Sequence, residues 1–229
     1  MNHQALLKLV EGFEPISKST KIEISKLNNQ GYNNQIFLIK TDQNRYILRL
    51  FGDDDIDRSK EINIQNLASQ NQIAPKVLHY DLQKRFSILE YIDSVQINQI
   101  SLEQLGILAD KLHKLHDIKT DLEPIKIDLI QNQMPYFSKE FVLCHNDLNP
   151  QNILWQDNTP MLIDWEYSGV NDRYFDLASV IVEFGLSGEK MRQFLENYFD
   201  GGQYNKTKLD SFIKYYKQVC RAWWDKRTT

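Results

Sequence analysis

The sequence predicts an α+β fold in two lobes, a small β-rich one over residues 1–92 and a mostly helical one over residues 93–229. Three observations carry this reading. Short, alternating apolar runs bounded by turn residues fill the first part of the chain. From Ser101 onward the apolar positions recur at helical spacing. The 229 residues, 41% hydrophobic and 25% charged, have globular proportions and suffice for one large domain or two small ones with a real core.

Taken in order, strands are expected at 21–25, 35–41 and 45–51, the last two joined by a turn at Asp42–Asn44. A helix is expected from 57 to 70, ending before the break at Asn71–Pro75. Strands at 76–80 and 86–91 flank a turn at Asp81–Lys84. After Ile92 the character changes. Ser101 and Gln104 have the spacing of a capping box, and Leu102, Leu105, Leu108, Ala109, Leu112 and Leu115 fall on one helical face. Further helices are expected at 174–184 and 206–221, the last with a stripe of Leu209, Phe212, Ile213, Tyr216, Cys220 and Trp223.

The formal net charge of -4 and the absence of clustered Lys and Arg give no reason to expect a nucleic-acid partner. Cys144 and Cys220 form neither a disulfide framework nor a paired metal-ligand spacing, and read as small apolar residues of a reducing cytosol. The N-terminus lacks the basic start and apolar core of a signal peptide, and the longest apolar run, 178–186, is short and contains Glu183. A cytoplasmic protein without a membrane segment is expected.

The chemistry concentrates in LCHNDLNPQNILW, Leu143 to Trp155, followed by MLIDWEYSGVNDRYFDLA. Residues 153–155 and 161–163 suggest a hairpin around a turn-rich connector, 156–160. Pairing 153 with 163 would set Asn152 opposite Asp164, with Cβ atoms about 5 Å apart. An amide oxygen and a carboxylate at that spacing suit Mg²⁺, which takes few protein ligands. Asp147, in a loop kept extended before Pro150, could orient a substrate hydroxyl and take its proton. His145 reads as a loop organiser rather than a base. Singly, each of these Asn, Asp and Pro residues is also an ordinary turn former; their joint spacing is what argues for a site.

His145, Asp147, Asn152 and Asp164 together resemble the catalytic and metal-binding motifs of kinase-fold small-molecule phosphotransferases. IDWEY, ND and FDLA are most similar to bacterial choline/ethanolamine kinases and their thiamine-kinase relatives, with aminoglycoside phosphotransferases more distant. The resemblance implies a two-lobed, protein-kinase-like fold, ATP and Mg²⁺ as cofactors, Asp147, Asn152 and Asp164 as catalytic residues, and Asn152, Asp164 and, as an auxiliary, Glu166 at the metal.

It also implies nucleotide contacts in the first lobe. Gly31 and Asn34 are similar to the family's Gly-x-x-Asn loop, although a lone glycine equally suits a plain hairpin turn. No Walker A sequence is present, which argues against a P-loop enzyme. Arg49 stands where protein kinases carry a phosphate-binding lysine, with Glu61 as its partner; a solvated strand charge is the competing reading. ILEYID resembles the segment between the lobes, where backbone groups near Glu90 and Ile92 would meet adenine.

Eleven residues separate Asp164 from Asp176 and no Ala-Pro-Glu follows, too little for the activation segment of a protein kinase. A small-molecule acceptor alcohol is therefore expected. Asp176 and Glu183 are seven apart and share a helix face. If Asp176 braces the catalytic loop, as the resemblance implies, Glu183 faces the acceptor and favours a cation. Trp223 or Trp224 with Glu183 could cage a quaternary ammonium group, though the aromatics of this helix also read as core. The 28 residues from 117 to 144 and the short C-terminus depart from many relatives, which have more helical material there. Choline or ethanolamine leads as acceptor, with thiamine or an aminoglycoside as alternatives. A nucleotide-binding pseudokinase scaffold would not need Asp147, Asn152 and Asp164 intact.

Overall fold

The computed structural model describes residues 2–27, 34–52, 55–95, 97, 99–125 and 137–228. The chain divides into two compact units, residues 1–70 with 74–93, and residues 71–73 with 94–229.

In the first unit, helices α1 (His3–Val10) and α2 (Glu14–Ser17) precede a five-stranded antiparallel sheet. Its strands are β1 (Ile22–Lys26), β2 (Asn34–Thr41), β3 (Arg45–Phe51), β4 (Val77–Asp81) and β5 (Phe86–Glu90), in the order β1-β2-β3-β5-β4. Helix α3 (Arg58–Gln70) links β3 to β4. Neither N-terminal helix was expected. The signal for α1 is nonetheless present: Asn2 caps it by accepting the Ala5 N–H at 2.9 Å, and Leu6 and Val10, four apart, are its buried residues. They join Phe13, Ile16, Phe37, Ile39, Tyr46, Leu48, Phe86 and Ile88 in one core. Because side chains alternate along a strand, Arg49 points away from the face of Leu48 and meets α3.

In the second unit, α4 (Leu102–His116) begins with the anticipated capping box: Ser101 accepts from the Gln104 amide and the Gln104 side chain accepts from the Ser101 amide. Asn71–Ile73 belong here because Ile73 O accepts the Leu162 N–H at 2.8 Å and Gln72 O accepts Lys111 Nζ at 2.7 Å. Strands β6 (Phe141–Cys144) and β9 (Gly169–Asp172) pair antiparallel, and β7 (Ile153–Gln156) and β8 (Thr159–Leu162) form the hairpin. Helices α5 (Arg173–Glu183), α6 (Gly188–Tyr198) and α7 (Lys206–Thr228) follow.

The hairpin register differs from the expected one. Ile153 pairs with Leu162, not with residue 163, and Trp155 with Pro160. The turn is only Asp157–Asn158, with φ of 46° and 61°, a primed two-residue connection that Asp and Asn tolerate. Asn152 therefore faces Ile163, whose N–H it accepts at 2.9 Å, and Asp164 lies one residue further along. No helix among the described residues is long and apolar enough to cross a membrane.

Candidate active site

The loop from β6 to β7 carries most of the candidate residues, and helix α5 holds it at two points. Asp176 is fully buried; its Oδ2 accepts the His145 N–H and its Oδ1 the Asn146 N–H, both at 2.8 Å. One turn on, Ser179 Oγ accepts the Leu148 N–H at 3.1 Å and donates to Leu148 O at 3.0 Å. These bonds satisfy loop amides that burial would otherwise leave without partners. They also fix the two ends of the segment containing Asp147. Asn146, at φ 67°, makes the sharp bend that aims it, and Asn171 donates to the Asn146 Oδ1 at 2.8 Å.

His145 is buried, packs on the Trp165 ring at 4.7 Å between centroids, and pairs through Nε2 with Ile163 O at 3.0 Å. Burial lowers its pKa, so the ring is neutral and Nε2 carries the donated hydrogen. It ties the catalytic loop to the strand that leads into Asp164, an organiser's task.

Past Asn149, whose side chain accepts the Gln151 and Asn152 amides, a single 3₁₀ turn (Pro150–Asn152) sets Asn152 beside Asp147. The Asn152 amide donates to Asp147 O at 2.9 Å and to Asp147 Oδ2 at 2.8 Å, while Asn149 donates to Oδ1 at 3.3 Å. Burial raises the Asp147 carboxyl to about 6, the neighbouring Asp164 charge adds to the rise, and Glu183 contributes less; the two asparagine bonds pull the other way. The structure thus brings Asp147, Asn152, Asp164 and Glu183 into one electrostatic neighbourhood. Asp164 has a φ of 65°, unusual for a side-chain-bearing residue and of the kind found where a functional group must be aimed.

The donor set fits a hard divalent cation. With both amide hydrogens of Asn152 turned to Asp147, its oxygen is left for a ligand, and the mutual repulsion of Asp147 and Asp164 is what a cation relieves. Asn152 and Asp164 are the residues that would hold it. Asp147, Asp164 and Glu166 do not form a compact three-carboxylate group: among the described residues the one such cluster of His, Cys, Asp and Glu ligand atoms is His116, Cys144 and Asp176.

Glu183, at the end of α5, accepts the Tyr216 hydroxyl at 3.0 Å, with Cys220 Sγ at 3.9 Å. Trp223 and Trp224 stand one turn beyond Cys220 on α7, edge to face at 5.2 Å, with Trp224 exposed. The aromatic group seen on Glu183 is thus Tyr216, and the tryptophans continue the same helix face (216, 220, 223, 224). Phe212, Tyr215 and Tyr216 are core.

In the first unit, Arg49 donates to Glu61 Oε1 and Arg58 donates to Glu61 Oε2 at 2.7 Å; all three are buried. Phe51 lies beneath both guanidinium groups, at 6.0 and 5.0 Å. Asn34 is buried at the start of β2, paired in register with Phe51, and Gly31 lies outside the described residues. Glu90 is committed to the sheet, donating its N–H to Lys76 O at 2.9 Å and accepting the Lys76 N–H at 3.2 Å; its amide is therefore occupied, and Ile92 follows it in the connecting segment.

Sequence reasoning missed Ser179, Tyr216, Arg58 and His116. Ser179 and Arg58 each stand three residues from a predicted site residue, Asp176 and Glu61, and so share its helix face; that spacing was the available signal.

The sequence pattern of the phosphotransferase enzyme family (APH) matches residues 25–129 and 123–212. Protein LicA of Haemophilus influenzae is 44% identical over 87 residues, covering 37% of this chain and 33% of that protein; the chain thus spans about a third of the length of that curated relative. Choline kinase LicA of Streptococcus pneumoniae superposes with a TM-score of 0.77 at 22% identity, over 96% of this chain and 90% of that one. A choline/ethanolamine kinase family protein of Mesorhizobium loti gives 0.74 at 20% identity, over 98% and 84%. These likenesses establish a kinase-like α+β fold. The family match runs from the sheet that bears Arg49 to the helix that bears Tyr216's neighbours, through Asp147, Asn152 and Asp164, and the chain belongs to the phosphotransferase enzyme family.

Proposed function

We propose that this protein transfers the γ-phosphate of ATP to the hydroxyl of a small cationic alcohol, choline or ethanolamine. The observation that carries the reading is the partly buried Asp147 carboxylate, oriented by Asn152 and set in the field of Asp164 and Glu183. A group raised to about 6 is ionised at neutral pH yet basic enough to accept a proton from a hydroxyl as that oxygen attacks phosphorus. Asp147 orients the acceptor hydroxyl and receives its proton; Asn152 and Asn149 keep the carboxylate turned to do so.

Asn152 and Asp164, with Glu166 as an auxiliary, would hold Mg²⁺, which would supply neutralisation of the phosphate charge. Arg49, held by Glu61, together with the loop of Gly31 and Asn34, contacts phosphate oxygens, and the chain around Glu90 and Ile92 contacts adenine. Catalysis is then positioning and charge neutralisation, with no covalent intermediate. Glu183, with Tyr216 on its carboxylate and Trp223 and Trp224 further along the same face, gives an anionic, aromatic setting that suits an ammonium group. The similarity to choline and ethanolamine kinases supports these acceptors over thiamine or an aminoglycoside.

The test is Mg²⁺-dependent ADP release from ATP with choline, ethanolamine, thiamine and several aminoglycosides, Asp147→Asn serving as control. Stimulation by choline or ethanolamine that disappears in the variant is the expected result. Stimulation by thiamine or an aminoglycoside alone would reassign the acceptor. ATP binding without stimulation by any would overturn the reading in favour of a nucleotide-binding scaffold.

A further inference from the structure

Beneath the catalytic loop lies a buried chain of polar groups that the proposed chemistry does not use. His116, the last residue of α4, has its Nδ1 at 2.6 Å from the Tyr198 hydroxyl at the end of α6 and its Nε2 at 3.2 Å from Asp176 Oδ2. Tyr198, His116 and Asp176 are all essentially sealed from solvent. Asp176 in turn receives the His145 and Asn146 amides, the two residues directly before Asp147.

The direction of each bond can be worked out. Both Asp176 oxygens already accept backbone hydrogens, so the imidazole nitrogen facing it must be the donor, which places a hydrogen on Nε2. Nδ1 then either accepts from Tyr198 or, in a cationic ring, donates to it. The Tyr198 hydroxyl is protonated and has Nδ1 as its hydrogen-bond partner, so its hydrogen goes to Nδ1, which accepts. Burial keeps that phenol protonated well above its ordinary range. The bonds therefore run one way: Tyr198 to His116, His116 to Asp176, with the loop amides meeting Asp176 from the other side.

We infer that Tyr198 is a positioning residue for the transfer reaction: its hydroxyl, bonded to Nδ1, holds the His116 ring with its Nε2–H on Asp176, and through Asp176 this fixes the backbone that aims Asp147. The inference rests on the transfer reading for its kinetic consequence but not for its structural one. The same three groups His116, Cys144 and Asp176 have ligand atoms close enough for a metal. Both imidazole nitrogens and both Asp176 oxygens are already hydrogen-bonded, and burial together with the Asp176 and Asp172 charges keeps the Cys144 thiol protonated, so the cluster is read as a hydrogen-bonded brace. Other titratable groups facing it are His113, whose ring lies 5.7 Å from that of Tyr198, and Glu140 beside Arg173.

Tyr198→Phe removes the hydroxyl and keeps the ring that packs edge to face on His116 and on Phe199. Two readouts need no substrate. The ¹⁵N shift of His116 Nδ1 should move to that of a ring nitrogen without a hydrogen-bond donor while Nε2 keeps its hydrogen, and the His145 and Asn146 amides should exchange with solvent about tenfold faster. With ATP and the acceptor, kcat should fall about tenfold while both KM values stay within about twofold. His116→Gln places an amide N–H where Nε2–H stood; in that background Tyr198→Phe should have no further effect, because Tyr198 acts only through His116. An unchanged His116 Nδ1 shift with unchanged amide exchange in Tyr198→Phe would overturn the inference, as would equal kcat losses with and without His116→Gln. If no acceptor is turned over, the transfer reading fails, while the Nδ1 shift and exchange measurements still decide this one.

Discussion

Asn152 directs both hydrogens of its amide at Asp147, one to the backbone oxygen at 2.9 Å and one to Oδ2 at 2.8 Å. With Asn149 on Oδ1, this side chain sets the orientation of the carboxylate, and it leaves its own oxygen for a cation. Asn152→Ala should lower kcat about 100-fold and raise the Mg²⁺ concentration needed for half-maximal ADP release. A kcat loss with no change in Mg²⁺ dependence would confine Asn152 to orienting Asp147.

Asp147 is held in a state that works against stability at neutral pH. Its folded-state pKa, about 6, lies above that of an ordinary aspartate, so the folded protein binds this proton more tightly than the unfolded chain does. The stability contribution is full at low pH and is lost as pH rises through about 6. Asp147→Asn removes the charge. In metal-free buffer it should be inactive yet more stable than the parent at pH 8 by about 1–3 kcal/mol, with the gain gone at pH 4. Urea melts at the two pH values measure this; an equal gain at both would show that the charge is not its source.

Asp176 carries two backbone amides and one imidazole on two oxygens. Asp176→Ala leaves these buried donors without an acceptor, each at about 1–3 kcal/mol. The variant should lose about 3–5 kcal/mol in a urea melt, with the His145 and Asn146 amides losing hydrogen-exchange protection first. Retained protection would mean that the loop is held by Ser179 alone.

Glu61 stands between two buried guanidinium groups, one on each oxygen. Glu61→Gln leaves both cations without their shared carboxylate and should cost about 3–5 kcal/mol. Arg58→Met, which leaves the Arg49–Glu61 pair intact, should cost less. Both should raise the KM for ATP more than that for the acceptor, since Arg49 is aimed through Glu61. A higher acceptor KM with ATP unaffected would remove Arg49 and Glu61 from the nucleotide's contacts.

Much of this was legible in the chain, and the gaps have physical causes. Strand runs with turn residues between them place the sheet, the family resemblance implies the Arg49–Glu61 pair, and the Ser101–Gln104 box marks the start of α4 where it occurs. The hairpin register is off by one because the rule that sends proline to connectors placed Pro160 in the turn. It sits in the ladder opposite Trp155, and Asp157–Asn158 make the turn by themselves. Helix α6 went unread although Ser187 precedes it and Met191, Phe194, Leu195 and Tyr198 recur at helical spacing. Strand β9 is hidden for a different reason: Asn171 and Asp172 are buried in it, and polar residues give no strand signal. That Tyr198 would meet His116, 82 residues earlier, depends on how two helices pack and is beyond local pattern.

Glu183 offers the sharpest test of what the acceptor is. Its charge adds, after that of Asp164, to the rise of the Asp147 carboxyl, so it lies within electrostatic reach of the proposed acceptor position. Tyr216 donates to it at 3.0 Å and so holds it in one orientation without neutralising it. A cationic acceptor gains from that charge, and a neutral one does not. Glu183→Gln keeps the shape and the bond to Tyr216 but removes the charge, and should raise the acceptor KM about tenfold, the equivalent of about 1.4 kcal/mol, with the KM for ATP within about twofold. Tyr216→Phe frees the carboxylate to rotate and should act in the same direction by a smaller factor. The comparison that decides is between choline and a neutral alcohol of similar size: Glu183→Gln should reduce the preference for the cation by the same factor of about ten. If both substitutions shift the ATP and acceptor KM values equally, Glu183 serves the packing of α5 against α7 and the acceptor's charge is read elsewhere.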